Sequence, residues 1–168
     1  MDISKEKFAP VPKSTNSRKF DLPSPGSLAS KVLDASINGV YIYDLKLRQH
    51  VYANERFTAL TGYTLQDLNG FDEKRFYRLF HPEGRRRFVE TEAPDSNGGD
   101  DVRDIEYRFK TKYGRWIWCL SHEKVFAREP DGTVSQIIGT VIDITSLKRM
   151  REELRQSQSH LSLVLKGV

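Results

Sequence analysis

The sequence holds a single cysteine among 168 residues. Cys119 therefore has no partner for an internal disulfide and no companion thiols with which to ligate a metal, a usage that suits a reducing compartment. Long apolar runs are missing too. The densest, WIWCL at 116–120, falls far short of the roughly 20 residues that span a bilayer. The N-terminal MDISKEKFAPVPK lacks the apolar centre of a secretory signal. The expectation is a cytoplasmic chain that makes no membrane contact of its own. Nor is one sign of charge dominant in the body of the chain. The net +4 arises at the ends: residues 1–26 carry five basic and three acidic side chains and 146–168 five and two, which leaves 17 basic against 18 acidic in 27–145. A neutral body argues against nucleic acid as a partner.

Catalytic and metal-binding patterns are equally scarce. Ser121, His122 and Glu123 have the residue types of a triad, but neighbours on a strand point to opposite faces, so His122 cannot meet both. Asp95, Asp100 and Asp101 crowd a glycine-rich stretch without the spacing of a calcium loop. GGDD at 98–101 resembles the diguanylate cyclase signature only in its letters, with no βα framework around it. Lys74, Arg75, Arg78 and Arg85–Arg87 alternate with Asp72, Glu73 and Glu83, which reads as a solvated helix face. The sequence thus predicts a domain without catalysis or metal.

What is present suggests one domain with appendages. Residues 1–26 contain four of the seven prolines and no periodicity, and read as a flexible lead-in. Ser27 starts a short helix with Leu28, Val32 and Ala35 on one face, expected to pack. GVYIYD and QHVYA, separated by LKLR, suggest a strand hairpin over 39–53. Asn54 is an N-cap, Gly62 can end that helix in the left-handed conformation, and Thr64 with Asp67 forms a capping-box-like pair for the next. Pro82 sits at the first turn of a helix over 81–93. After the loop at 93–101, Ile105, Tyr107 and Phe109 alternate with charged residues; RWIWCLSHEKVFA (115–127) and VSQIIGTVIDI (134–144) complete three strands. The order predicts an α+β fold with the short helices inserted between the second and third strands.

In this order and spacing, GVYIYD, YANERFTALTGYT, the HPE before a helix, Glu106-x-Arg108, Gly114-x-x-x-Trp118, Asp131-Gly132 and GTVIDIT resemble a PAS domain with its C-terminal PAC motif, over about 27–145. The resemblance implies a five-stranded antiparallel sheet with short helices over one face. It also implies a sensory or relay module of a multidomain signalling protein, often a homodimer, with a small molecule between sheet and helices and an output domain, such as a kinase or a cyclase/phosphodiesterase, in the same chain. The alternative is a ligand-free dimerisation or scaffold domain. Candidates to line the cavity are Tyr43, Asn54, Phe57, Tyr107 and Trp118, the last matching the PAC tryptophan. Asp143, at the end of an apolar strand, and Thr145, as cap of the next helix, are the candidates for coupling core to output. Cysteinyl-flavin chemistry is not expected, because NGFDEKRFYRLF (69–80) has no cysteine where such relatives carry one. Haem is not expected either, because His81, at a helix start, is the only histidine near the relevant helix.

The tail, 146–168, reads as an amphipathic connector helix. Leu147, Leu154, Leu161 and Val168 fall at one heptad position and Met150, Ser157 and Val164 at the other, flanked by the i,i+4 pairs Lys148–Glu152 and Arg149–Glu153. The pattern fits a coiled-coil dimer or a helix folded back on its own domain. SLASKVLDAS (27–36) and SHLSLVLKGV (159–168) match at four positions with an offset of 132, so a second such domain is expected to begin near 161.

Overall fold

The structure, a computed structural model, describes residues 27–84 and 102–165. The elements are α1 (Leu28–Asp34), β1 (Gly39–Asp44), β2 (Gln49–Ala53), α2 (Glu55–Thr61), α3 (Leu65–Asn69), α4 (Glu73–Tyr77), β3 (Arg103–Lys110), β4 (Trp116–Arg128), β5 (Val134–Asp143) and α5 (Thr145–Leu165). The five strands form one sheet in the order β2-β1-β5-β4-β3, antiparallel throughout. The sheet and the inserted short helices are as the sequence predicts. Residues 82–84 are helical, so the turn at Pro82 begins where expected. The remainder of the 81–93 helix and the 93–101 loop lie outside the described residues.

Local chemistry sets the helix ends. The Asn54 side chain accepts from Phe57 N to start α2, and Gly62, at φ 79°, ends it in a conformation that side chains rarely adopt. Thr64 and Asp67 make a reciprocal capping box on α3, and Asp72 caps α4. These helices cover the face of the sheet from which Tyr41, Ile105, Tyr107, Phe109, Ile117, Cys119 and Val141 project, and Phe57, Tyr63 and Leu68 meet them there. The open edge of β3 is protected by 79–81: Lys110 N donates to Leu79 O and His81 N to Arg108 O. At Gly139 the absence of a side chain admits the Tyr41 ring, whose Cζ would lie 2.3 Å from an added Cβ.

α1 departs from expectation. Leu28 and Val32 remain 80% and 62% exposed, and the buried member is Ser30. The helix joins the domain through a carbonyl, Leu33 O, which accepts from Asn54 Nδ2.

Candidate functional site

A cavity of 370 Å3 lies between the sheet and α2–α4. Tyr41 and Tyr43 from β1, His50 from β2, Phe57 from α2, Phe76 and Tyr77 from α4, Phe80, and Tyr107 and Phe109 from β3 make its lining strongly aromatic; Cys119 and Val141 contribute from β4 and β5. The rings meet mostly edge to face, with centroids 5.2 Å apart for Phe80–Tyr107, 5.3 Å for Phe80–Phe109 and 5.4 Å for Phe76–Phe80.

Behind this lining lies a polar layer. Tyr41 donates its hydroxyl to Glu123 Oε1 at 2.5 Å, and the Glu123 carboxylate is also held by the Arg103 guanidinium, with Nε 3.0 Å from Oε2. Glu123 is 1% exposed. Tyr107 Oη and Ser121 Oγ are 2.8 Å apart. Burial holds both phenols well above their ordinary range, with Glu123 adding to the effect on Tyr41. Burial likewise pushes the Cys119 thiol up, which leaves little reactive thiolate. Inward Ser121 and Glu123 flank outward His122, whose Nδ1 lies 2.6 Å from Asp104 Oδ1; the three do not converge. Among the described residues no group of three or more His, Cys, Asp or Glu could hold a metal ion.

At the mouth, Arg48 from the β1–β2 turn pairs with Glu73 in the first turn of α4. Arg48 is the non-glycine residue with positive φ among those described, at 54°. Deeper in, His50 rests edge-on against Tyr43 at 5.0 Å and Tyr41 at 5.7 Å. Asn69 clamps its backbone, accepting from His50 N at 3.0 Å and donating to His50 O at 2.8 Å. Burial lowers the His50 pKa from 6.5 to about 4, so the ring is neutral at pH 7. Below about pH 6.5 the unfolded chain takes up a proton that the folded chain refuses until about 4. Stability therefore falls with pH across that window, by about 3 kcal/mol from this group. His50→Phe should gain about 3 kcal/mol on the wild type between pH 7 and pH 4 in urea denaturation; parallel profiles would refute the assignment.

Of the residues expected to line the cavity, Tyr43, Phe57 and Tyr107 do so. Asn54 does not. It is 1% exposed and fully engaged: Oδ1 accepts from Val40 N and Phe57 N, and Nδ2 donates to Leu33 O and Asn38 O. Trp118 is on the opposite face of the sheet, because strand alternation turns Ile117 and Cys119 inward. There its ring carries Lys148 Nζ at 4.8 Å and the Arg108 guanidinium at 5.4 Å. His81 is also outside, with Nδ1 2.9 Å from the Arg108 guanidinium and its ring against Trp116, so the histidine at the cavity is His50 on β2. The sequence reading missed it; a histidine within the otherwise apolar HVYA run was its signal.

The joint between β5 and α5 also differs in detail. Asp143 is exposed, and it rather than Thr145 meets the helix start: its Oδ1 accepts from Thr145 N at 2.8 Å. Thr145 faces the sheet instead, its Oγ1 accepting from Trp118 N at 2.9 Å, while Ile144 N donates to Trp118 O at 2.8 Å. The backbone of Trp118 thus holds the joint in both directions. Lys148 ion-pairs with Glu106 on β3, not with Glu152, which pairs with Arg155. From Arg149 to Leu165 every residue of α5 is exposed, which overturns the fold-back alternative. Leu147, Met150, Leu154 and Leu161 are 49–59% exposed.

A sequence model of the family described as the PAS fold matches residues 50–141. This chain belongs to that family. The PAS chain is 23% identical over 125 residues to hybrid signal transduction histidine kinase A of Dictyostelium discoideum, an alignment covering 73% of the chain and only 6% of that relative. Among solved structures it is similar to a sensory box histidine kinase/response regulator from Burkholderia thailandensis E264, with TM-score 0.57, 23% identity, and 80% of this chain and 95% of that one covered. It is also similar to the N-terminal domain of a diguanylate cyclase with PAS/PAC sensor from Marinobacter aquaeolei, with TM-score 0.53, 18% identity, and 66% and 98% covered. At these identities the structures establish a shared PAS fold. No helix among the described residues is long and apolar enough to cross a membrane.

Proposed function

We propose that this PAS domain is a non-catalytic, cytoplasmic sensory module that takes a small molecule into the aromatic cavity and relays occupancy through α5 to an output domain in the same chain. One observation carries the reading: on β4, Cys119 lines the cavity and the adjacent Trp118 holds the β5–α5 joint through its N–H and C=O. A shift of the cavity wall therefore reaches the helix through one peptide step. The ligand acts by preferring one arrangement of that wall. The exposed row Leu147, Met150, Leu154 and Leu161 is covered by the same row of a second copy, so the module works as a homodimer. Multidomain kinase and cyclase relatives support an output domain downstream.

Asp143→Ala tests the relay. It removes one exposed cap, a loss of about 1 kcal/mol, so the domain should remain folded while the parent protein's output stops responding to input. An undiminished response would refute the relay. Native mass spectrometry combined with an absorption spectrum tests the rest: a dimer retaining a small molecule is expected, and a dimer with nothing bound would favour a scaffold.

A further inference from the structure

If the cavity takes a small molecule, its lining also specifies the chemistry. One cation and one carboxylate line it, Arg48 and Glu73, and they are paired with each other, so the site carries no net charge to attract an ion. The hydroxyls of Tyr41 and Tyr107 are committed to Glu123 and Ser121, and the Asn69 amide to the backbone of His50. His50 is different. Only 8% exposed, it has no hydrogen-bond partner at either ring nitrogen among the described residues. A neutral imidazole offers one N–H donor and one lone pair, and here both are left to whatever occupies the cavity that the ring lines, water or a ligand. The ring cannot readily turn elsewhere, because Asn69 fixes its backbone while Tyr41, Tyr43, Phe57 and Phe76 enclose it. Ring edges and faces form the remaining walls, which suits a flat guest.

We propose that His50 is the recognition residue of this cavity, and that the ligand is an uncharged, planar heteroaromatic molecule whose ring edge pairs with the imidazole. This rests on the proposed small-molecule function, and three probes separate the two claims. Naphthalene supplies the flat hydrocarbon alone, 4-quinazolinone adds a lactam N–H and C=O on a similar frame, and 2-naphthoate adds a negative charge. With the purified protein, 4-quinazolinone should bind at least tenfold more tightly than either of the others and should shift the His50 side-chain nitrogens in 15N NMR. His50→Phe, which keeps an aromatic ring, should remove that preference and leave naphthalene binding unchanged.

Binding of naphthalene with no quinazolinone preference, or with no movement of the His50 nitrogens, would overturn the recognition role while leaving the cavity reading intact. Tightest binding of 2-naphthoate would overturn the uncharged class. Failure of all three probes to bind would overturn both claims. The nitrogen shifts are read on the wild type, so the outcome stands even if His50→Phe folds poorly; His50→Gln, which retains a donor and an acceptor, should then keep part of the preference.

Discussion

Glu123→Ala should lower the stability of the domain by about 3–5 kcal/mol, a large share of the roughly 5–15 kcal/mol that holds a domain of this size together. The carboxylate is 1% exposed and binds two groups at once, the Tyr41 hydroxyl and the Arg103 guanidinium. Removing it takes a carboxylate from beside the Arg103 side chain, itself only 14% exposed, opens a gap there, and takes the acceptor from a buried phenol. The Tyr41 ring cannot settle closer to the sheet, since it already occupies the space that Gly139 leaves open. Glu123→Gln should lose less, because an amide oxygen can still accept from Tyr41. Equilibrium urea denaturation measures both, and a loss under about 1 kcal/mol for the alanine variant would show that the network contributes little.

Asn54→Ala should cost about 3 kcal/mol or more. A helix cap alone is worth about 1 kcal/mol, but this side chain also accepts from Val40 N in β1 and donates to the carbonyls of Leu33 and Asn38. Alanine leaves four buried or half-buried backbone groups to find other partners. Asn54→Asp retains the acceptor and should recover the α2 cap while losing the tie to α1. Denaturation gives the magnitudes. Hydrogen exchange gives the places: the amides of Val40 and Phe57 should lose protection in the alanine variant and keep it in the aspartate variant.

Asn54 also shows how far the sequence could be read. Its capping role was legible because the acceptor sits three residues from Phe57 N. Its hold on Leu33 was not, because that contact spans 21 residues and depends on how the chain returns. Strand alternation served well for β3, where charged and apolar residues take turns. For β4 it was available but ambiguous, since WIWCL is apolar on both faces and the pattern alone does not say which face meets the helices. Trp118, a cavity candidate through its match to the PAC tryptophan, lies on the outer face with His122, and the same alternation separates His122 from Ser121 and Glu123. At the cavity, Tyr43, Phe57 and Tyr107 were legible as large apolar residues on inward positions. The pairing of Lys148 with Glu106, 42 residues away, had no local signature and displaced the expected i,i+4 partner.

The single-ended attachment of α5 has a geometric consequence. Its 21 residues make a rod about 31 Å long, anchored only in its first turn. A tilt of about 10° at that anchor would carry the far tip sideways by about 5 Å, close to the 5.4 Å pitch of a helix. With the first turn, about 5.4 Å, as the short arm, the rod would magnify a displacement beside Trp118 about sixfold, so about 1 Å there would correspond to such a tilt.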